Sequence, residues 1–392
     1  MNGPTSLQQP SPPRTFTRGF SLLAFFCALL VTAVFLWLPG AAGRKAEPAA
    51  GALRLAASGA VCARLLLFLW RRRGLAAEAG RALWGAANLL TLLRGLLIAF
   101  LAGFLFAPLP AGLPAAWVPA LVYTAIACLD FMDGYVARRT DTRTRLGEAL
   151  DQELDGLGLL TALLLVVQYR ILPPPLLLVG LAHYLFAFGI WLRRQRGLSV
   201  LSLPPNRWRR RLAGFQMALA AVFLWPIARP GPALLVETLI GLPLLLGFGR
   251  DWLLISSRLN SDTAPAARRR ACVQSWLEVR LPLLLRAASL LLGLAAVWAV
   301  IDDGTVAPAW SNLLPLPSGA ARAAAWLTAL GLLGLALGRG LPFFAMTVIV
   351  LVGLPLYLGG LTLTGSLQLC CALLLLLLGG GPRLGELLRR PV

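Results

Sequence analysis

Seven of the sixteen acidic residues fall between positions 130 and 155: Asp130, Asp133, Asp141, Glu148, Asp151, Glu153 and Asp155. Their spacing has a helical meaning. Asp130 and Asp133 are three apart, with Gly134 and Ala137 on the same stripe. Gly147, Asp151 and Asp155 are four apart in succession. Each set lines one face of a helix. The first set ends one apolar run and the second begins the next, so two antiparallel helices meet with four carboxylates facing each other. Placing even one acid at a bilayer centre costs about 2.5–3.5 kcal/mol, so protons or cations must neutralise them. No histidine or cysteine lies within the segment, and oxygen-only ligation selects hard cations such as Mg²⁺, Mn²⁺ or Ca²⁺. Four carboxylates suit a two-metal site that clamps the attacking and leaving oxygens of a phosphoryl displacement. Gly134, Ala137 and Gly147 would let helices approach closely and leave room for a bulky ligand.

The elements that must position these groups are membrane helices. Of 392 residues, 58% are hydrophobic and 13% charged, and the mean hydropathy is +0.76. A soluble domain carries about 25% charged residues. A soluble globular enzyme, a disordered chain and a collagen-like chain are excluded. The expected fold class is an all-α integral membrane protein. Residues 1–19 read as a disordered cytoplasmic tail, and 20–85 as two leading spans, near 20–42 and 49–70. Six spans follow within 86–250, near 86–108, 115–135, 156–169, 174–192, 212–228 and 232–249. A cytoplasmic linker occupies 251–280. An accessory module of about four spans fills 281–392, near 281–301, 322–338, 341–359 and 365–380. The run at 20–42 is long for a signal peptide and reads as a retained span.

The net charge of +20 is explained by topology. With the N-terminus in the cytoplasm, the cytoplasmic segments hold 27 of the 36 basic residues and the opposite side only five: Arg44, Lys45, Arg170, Arg229 and Arg322. That is the positive-inside pattern; no nucleic-acid partner is needed. Arg54 and Arg64 interrupt the second span near its ends, from which they are expected to snorkel to the interface. The six cysteines read as small buried apolar side chains.

The acidic segment resembles the signature of the CDP-alcohol phosphatidyltransferase family, D-x2-D-G-x2-A-R-x8-G-x3-D-x3-D, at every fixed position across 26 residues. Upstream, Asn88-Leu89-Leu90-Thr91-Leu92-Leu93-Arg94 resembles the family's N-x2-T-x2-R, with Ala87 where a proline is usual. The resemblance implies a six-helix membrane core over 86–250, with its site at the cytoplasmic face, probing neither the leading nor the C-terminal spans. It implies phospholipid biosynthesis: an enzyme moving a substituted phosphate from a CDP-linked lipid donor to a small alcohol acceptor and releasing CMP. It implies Asp130, Asp133, Asp151 and Asp155 as ligands of two Mg²⁺ or Mn²⁺ ions, with Asp155 also taking the acceptor proton. Asn88, Thr91, Gly134, Ala137, Arg138 and Gly147 would bind the nucleotide.

The acceptor is less constrained. Members using phosphorylated acceptors carry basic residues before the fifth core helix. Here Arg194, Arg207, Arg210 and Arg211 lie in that region and can grip phosphate, although positive-inside topology also demands arginines there. CDP-diacylglycerol with glycerol 3-phosphate or another phosphorylated polyol is the first reading. A CDP-choline or CDP-ethanolamine phosphotransferase acting on diacylglycerol is the second. A cation or lipid transporter using the aspartates as an ion site is the third, from a different class. A bacterial-type inner membrane fits all three as the location, membrane lipids are implied partners, and a homodimer stays open. Glu148 and Glu153 lie off the aspartate stripe and are expected to pair with arginines, while Glu237 is expected at an interface.

Overall fold

The computed structural model describes residues 14–41, 48–75, 85–107, 113–141, 143–201, 207–226, 228, 230–256, 276–302, 318–337, 341–359 and 363–378. The expected tail up to residue 13, most of the expected linker and Cys272 lie outside the described residues. The α-helices are α1 (Arg14–Ala41), α2 (Pro48–Arg71), α3 (Ala86–Ala102), α4 (Leu113–Arg139), α5 (Arg145–Gln168), α6 (Leu177–Gln195), α7 (Arg207–Phe223), α8 (Pro230–Ile255), α9 (Leu281–Asp302), α10 (Ser318–Leu337), α11 (Leu341–Gly359) and α12 (Leu363–Leu378). No strand occurs among the described residues.

Five stretches are long and apolar enough to cross a membrane: Ala49–Arg71, Ala115–Arg139, Pro174–Gln195, Pro230–Ile255 and Leu281–Trp298. Further apolar helices are shorter. The protein is a multi-pass membrane protein. Its surface follows from that solvent. Leu121, Phe131, Phe188 and Leu246 are all exposed, which costs nothing where the neighbours are lipid tails rather than water.

Contacts divide the chain into two compact units. The first comprises Met1–Tyr184 with Met217–Pro226. Its hub is α3, which packs against α1, α2, α4 and α5. Ile98, Ala99 and Leu101 on α3 are fully enclosed. Small residues set the approach distances. A Cβ on Gly95 would touch Leu65 and Leu154, and one on Gly158 would touch Ile98 and Ile126. The chain after α3 turns through Phe106, whose φ is +63°. Gln168 at the end of α5 holds that turn. Its Nε2 donates to the carbonyls of Phe104 and Ala107, at 3.1 and 2.5 Å, and its Oε1 accepts from the Phe106 N–H at 2.6 Å. The free backbone groups of the loop are thereby satisfied without water.

The second unit comprises Leu185–Gln216 with Ile227–Val392. In it α9, α10, α11 and α12 form a ring of packed neighbours, α9 touching both α10 and α12. Glu237 differs from expectation. It is fully buried, and both its carboxylate oxygens accept from Gln216 Nε2 at 2.8 Å. Its position along α8 places it inside the helix packing rather than at an interface. Two other expectations are corrected. Cys128 is exposed and Cys370 partly so, while Cys27, Cys62 and Cys371 are buried. Arg54 does not snorkel: it is 4% exposed, enclosed by the protein.

Gly180 lies close to the α5 backbone, where an added Cβ would sit 3.1 Å from the Leu160 Cα. Gly180→Val is expected to push α6 off α5 and destabilise by about 1–3 kcal/mol, read as a lowered thermal unfolding midpoint in detergent.

Candidate active site

The acidic residues come together because three helices end in one place. α4 carries Asp130 and Asp133 in its last turns. A short turn through Asp141, whose φ is +51°, reverses the chain. Thr144 then caps α5: its hydroxyl accepts the Gly147 N–H at 3.0 Å. The cap satisfies an orphan donor of the first turn. From that start, Asp151 and Asp155 follow on one face. Asn88, Thr91 and Arg94 present one face of α3 to the same place.

Arg94 is the centre. Its side chain is completely buried, and its guanidinium reaches all four aspartates. Nη1 pairs with Asp130 Oδ1 and lies 3.7 Å from Asp133 Oδ2. Nη2 donates to Asp151 Oδ1 at 2.7 Å, to the Asp151 carbonyl at 3.1 Å and to Asp155 Oδ1 at 3.1 Å. One fork thus ties α3 to α4 and α5. Asp133 has a second partner: Thr91 Oγ1 lies 2.8 Å from its Oδ2 and 3.0 Å from the Ala87 carbonyl, and its single proton is shared between the two acceptors. Bonding back along α3 fixes the hydroxyl's rotamer.

Three of the aspartates form a tighter group. Carboxylate oxygens of Asp130, Asp151 and Asp155 lie within 4.8 Å of one another, a grouping that could hold a metal ion. Asp133 stands beside it, held by Thr91. The donor set fits a hard divalent cation, since every ligand atom is a carboxylate oxygen. The charge fits as well: one guanidinium against four carboxylates leaves a surplus of negative charge that a cation would offset. Unlike the buried Arg94, the carboxylates of Asp130, Asp151 and Asp155 are partly open, at 31%, 41% and 41% side-chain exposure.

The other expected site residues fall as follows. Asn88 is buried, and its Nδ2 donates to Thr144 Oγ1 at 3.4 Å. Gly147 packs directly on it: an added Cβ would lie 2.5 Å from Asn88 Oδ1. A larger residue there would have to displace the Asn88 side chain and with it the bond to Thr144. Gly134 differs, since an added Cβ would meet only the Arg138 side chain of its own helix, at 3.2 Å. The Arg138 guanidinium thus covers that turn, beside a partly exposed Ala137, and is itself exposed. Glu153 pairs with Arg64 at 2.7 Å, as its position off the stripe suggested; Glu148 sits in the first turn of α5, where a negative charge suits the helix N-terminus. Arg194 and Arg211 are exposed and belong to the second unit, and the side chains of Arg207 and Arg210 lie outside the described residues.

Sequence reasoning missed two participants. Arg94 was visible only as the last residue of N-x2-T-x2-R, and its reach to four carboxylates needs the packing of α3 between α4 and α5. Thr144 had a signal too, a threonine three residues before Gly147 at a helix start.

A family model described as CDP-alcohol phosphatidyltransferase matches residues 84–249. A Pseudomonas fluorescens protein named CDP-diacylglycerol–glycerol-3-phosphate 3-phosphatidyltransferase is 32% identical over 163 residues, covering 41% of this chain and 80% of that relative. Proteins of the same name from Salmonella choleraesuis and Escherichia coli are 38% and 36% identical over 85 residues, 21% of this chain. The chain spans 43% of the length of those two relatives. No solved structure matches.

Removing one partner of a buried ion pair leaves the others uncompensated. Arg94→Gln is expected to destabilise by about 3 kcal/mol, the low end for buried pairs because the carboxylates are partly open. Thermal unfolding in detergent measures this, and an unchanged midpoint would show that Arg94 does not organise the site.

Proposed function

Because the chain belongs to the CDP-alcohol phosphatidyltransferase family, we propose that it transfers a phosphatidyl group from CDP-diacylglycerol to an alcohol and releases CMP. The observation that carries this is the grouping of Asp130, Asp151 and Asp155 within 4.8 Å, with Asp133 alongside, at the meeting of α3, α4 and α5. Glycerol 3-phosphate is the first choice of acceptor, in keeping with the activity named for the relatives. Another phosphorylated polyol suits the same chemistry. The positive-inside distribution supports a site at the cytoplasmic face, and a bacterial-type inner membrane is the location we propose.

The four aspartates would hold divalent cation, two ions of Mg²⁺ or Mn²⁺ by the family pattern. When bound, such ions supply charge neutralisation of the pyrophosphate and of the leaving CMP oxygen. The chain's own residues do the rest. Arg94 holds three helices and their carboxylates in one geometry, so little reorganisation accompanies the reaction. Thr91 fixes Asp133. Asn88, Gly134, Ala137, Arg138 and Gly147 would line the nucleotide. The acceptor hydroxyl oxygen bonds to the phosphorus carrying the diacylglycerol, the bond from that phosphorus to CMP breaks, and the hydroxyl proton passes to Asp155. Arg194, Arg207, Arg210 and Arg211 would receive an acceptor's phosphate, for which guanidinium forks are matched.

The test is CMP release by the purified full chain with CDP-diacylglycerol and Mg²⁺, across glycerol 3-phosphate, inositol, inositol 1-phosphate and serine. Release with one acceptor, abolished by chelator, is the expected result. Asp151→Asn is expected to abolish release while the protein stays folded; full activity in that variant would refute the metal-carboxylate site.

A further inference from the structure

A groove in the first unit runs between α1 and α3 and encloses about 540 Å³, within the roughly 300–1,000 Å³ usual for ligand sites. Leu23 and Leu92 are buried at its floor, while Leu22, Phe26, Leu89 and Leu93 stand exposed along its walls. Among the described residues that line it, Arg18 carries the only charge. Arg18 is exposed, and no described carboxylate pairs with it. Arg18, Leu22 and Phe26 are four apart in succession, so they share one stripe of α1. Arg18 lies in the second turn of that helix, and the stripe continues along the apolar stretch Thr17–Ala33. The groove is therefore cationic at one end and apolar along the rest.

It is distinct from the candidate active site. At 3.6 residues per turn, Leu89, Leu92 and Leu93 centre about 150° round α3 from Asn88, Thr91 and Arg94. The body of α3 thus stands between the groove and the four aspartates. One wall is α1, which lies outside the family-matched residues 84–249.

The shape and charge select the occupant. Open apolar walls on a membrane protein face acyl chains, and an unfilled groove would forfeit its dispersion contacts. A guanidinium at the end of such a groove matches a phosphate. A headgroup with net negative charge suits it better than a zwitterionic one, whose own cation opposes the arginine. We propose that the groove seats one anionic phospholipid, its acyl chain along Leu22, Phe26, Leu89 and Leu93 and its phosphate at Arg18. This lipid is not the one consumed at the aspartates. It braces α1 against α3, the helix that carries Arg94.

The test is photolabelling of the full chain in vesicles with phosphatidylglycerol bearing a diazirine on one acyl chain, the labelled residues being mapped by peptide mass spectrometry. Labelling is expected to concentrate on the groove residues of α1 and α3. Unlabelled phosphatidylglycerol should displace the probe at lower concentration than phosphatidylcholine does. Leu22→Trp and Leu93→Trp, both at exposed positions, should fill the groove and reduce labelling there at least about fivefold. Arg18→Gln should leave acyl labelling in place but lower the preference for phosphatidylglycerol by about fivefold, the effect of one basic side chain near a membrane surface. Labelling spread evenly over the apolar helices, or unchanged in both tryptophan variants, would overturn the seat. An undiminished preference in Arg18→Gln would overturn the anionic assignment. Crosslinks from the groove to a second copy of the chain, in place of lipid labelling, would overturn both. None of these readouts depends on the proposed transfer reaction.

Discussion

A single guanidinium, enclosed by protein, stands among four carboxylates from two other helices, and much of the first unit is arranged so that this can happen. Arg94 is fully buried because α3 is the hub on which α1, α2, α4 and α5 pack. Burial strengthens each of its ion pairs, since water cannot screen them, and makes each partner harder to lose. The same contact gives the carboxylates their geometry. Without a cation between them, four like charges would splay the ends of α4 and α5; the fork of Arg94 holds both.

Small residues serve the same constraint. Arg94 can reach α5 only if α3 runs close to it, and Gly95, Gly147 and Gly158 are where side chains from neighbouring helices fill the space a Cβ would take. In lipid there is no hydrophobic drive between helices, so close packing and buried polar bonds do the work of association. The buried polar groups of the first unit show both outcomes of that rule. The aspartate cluster is paired through Arg94, whereas Arg54, Ser58 and Tyr169 keep buried polar atoms without partners among the described residues.

The two units differ in what they carry. The ring formed by α9, α10, α11 and α12 belongs to the second unit, as does the buried Glu237 with its Gln216 partner. A place near an outer helix end suggests an interface for Glu237, yet the side chain is enclosed. Hydropathy reports depth along one helix; it is blind to which neighbours close over a side chain.

The residue pattern by itself determined the helical class, the membrane setting and the aspartates that share a face, because each depends on period and composition along one segment. Spacings of three and four residues bring side chains together on any helix, whatever surrounds it. The pattern also held the family signature, which is local to α4 and α5. Only the tertiary structure decided that Arg94 joins all four aspartates, that Asp133 turns to Thr91 while the other three group together, and that Arg54 is sealed inside rather than snorkelling. These are contacts between segments distant in the chain. Whether a charged side chain meets water, lipid or an opposite charge depends on how helices pack, and no single helix contains that information.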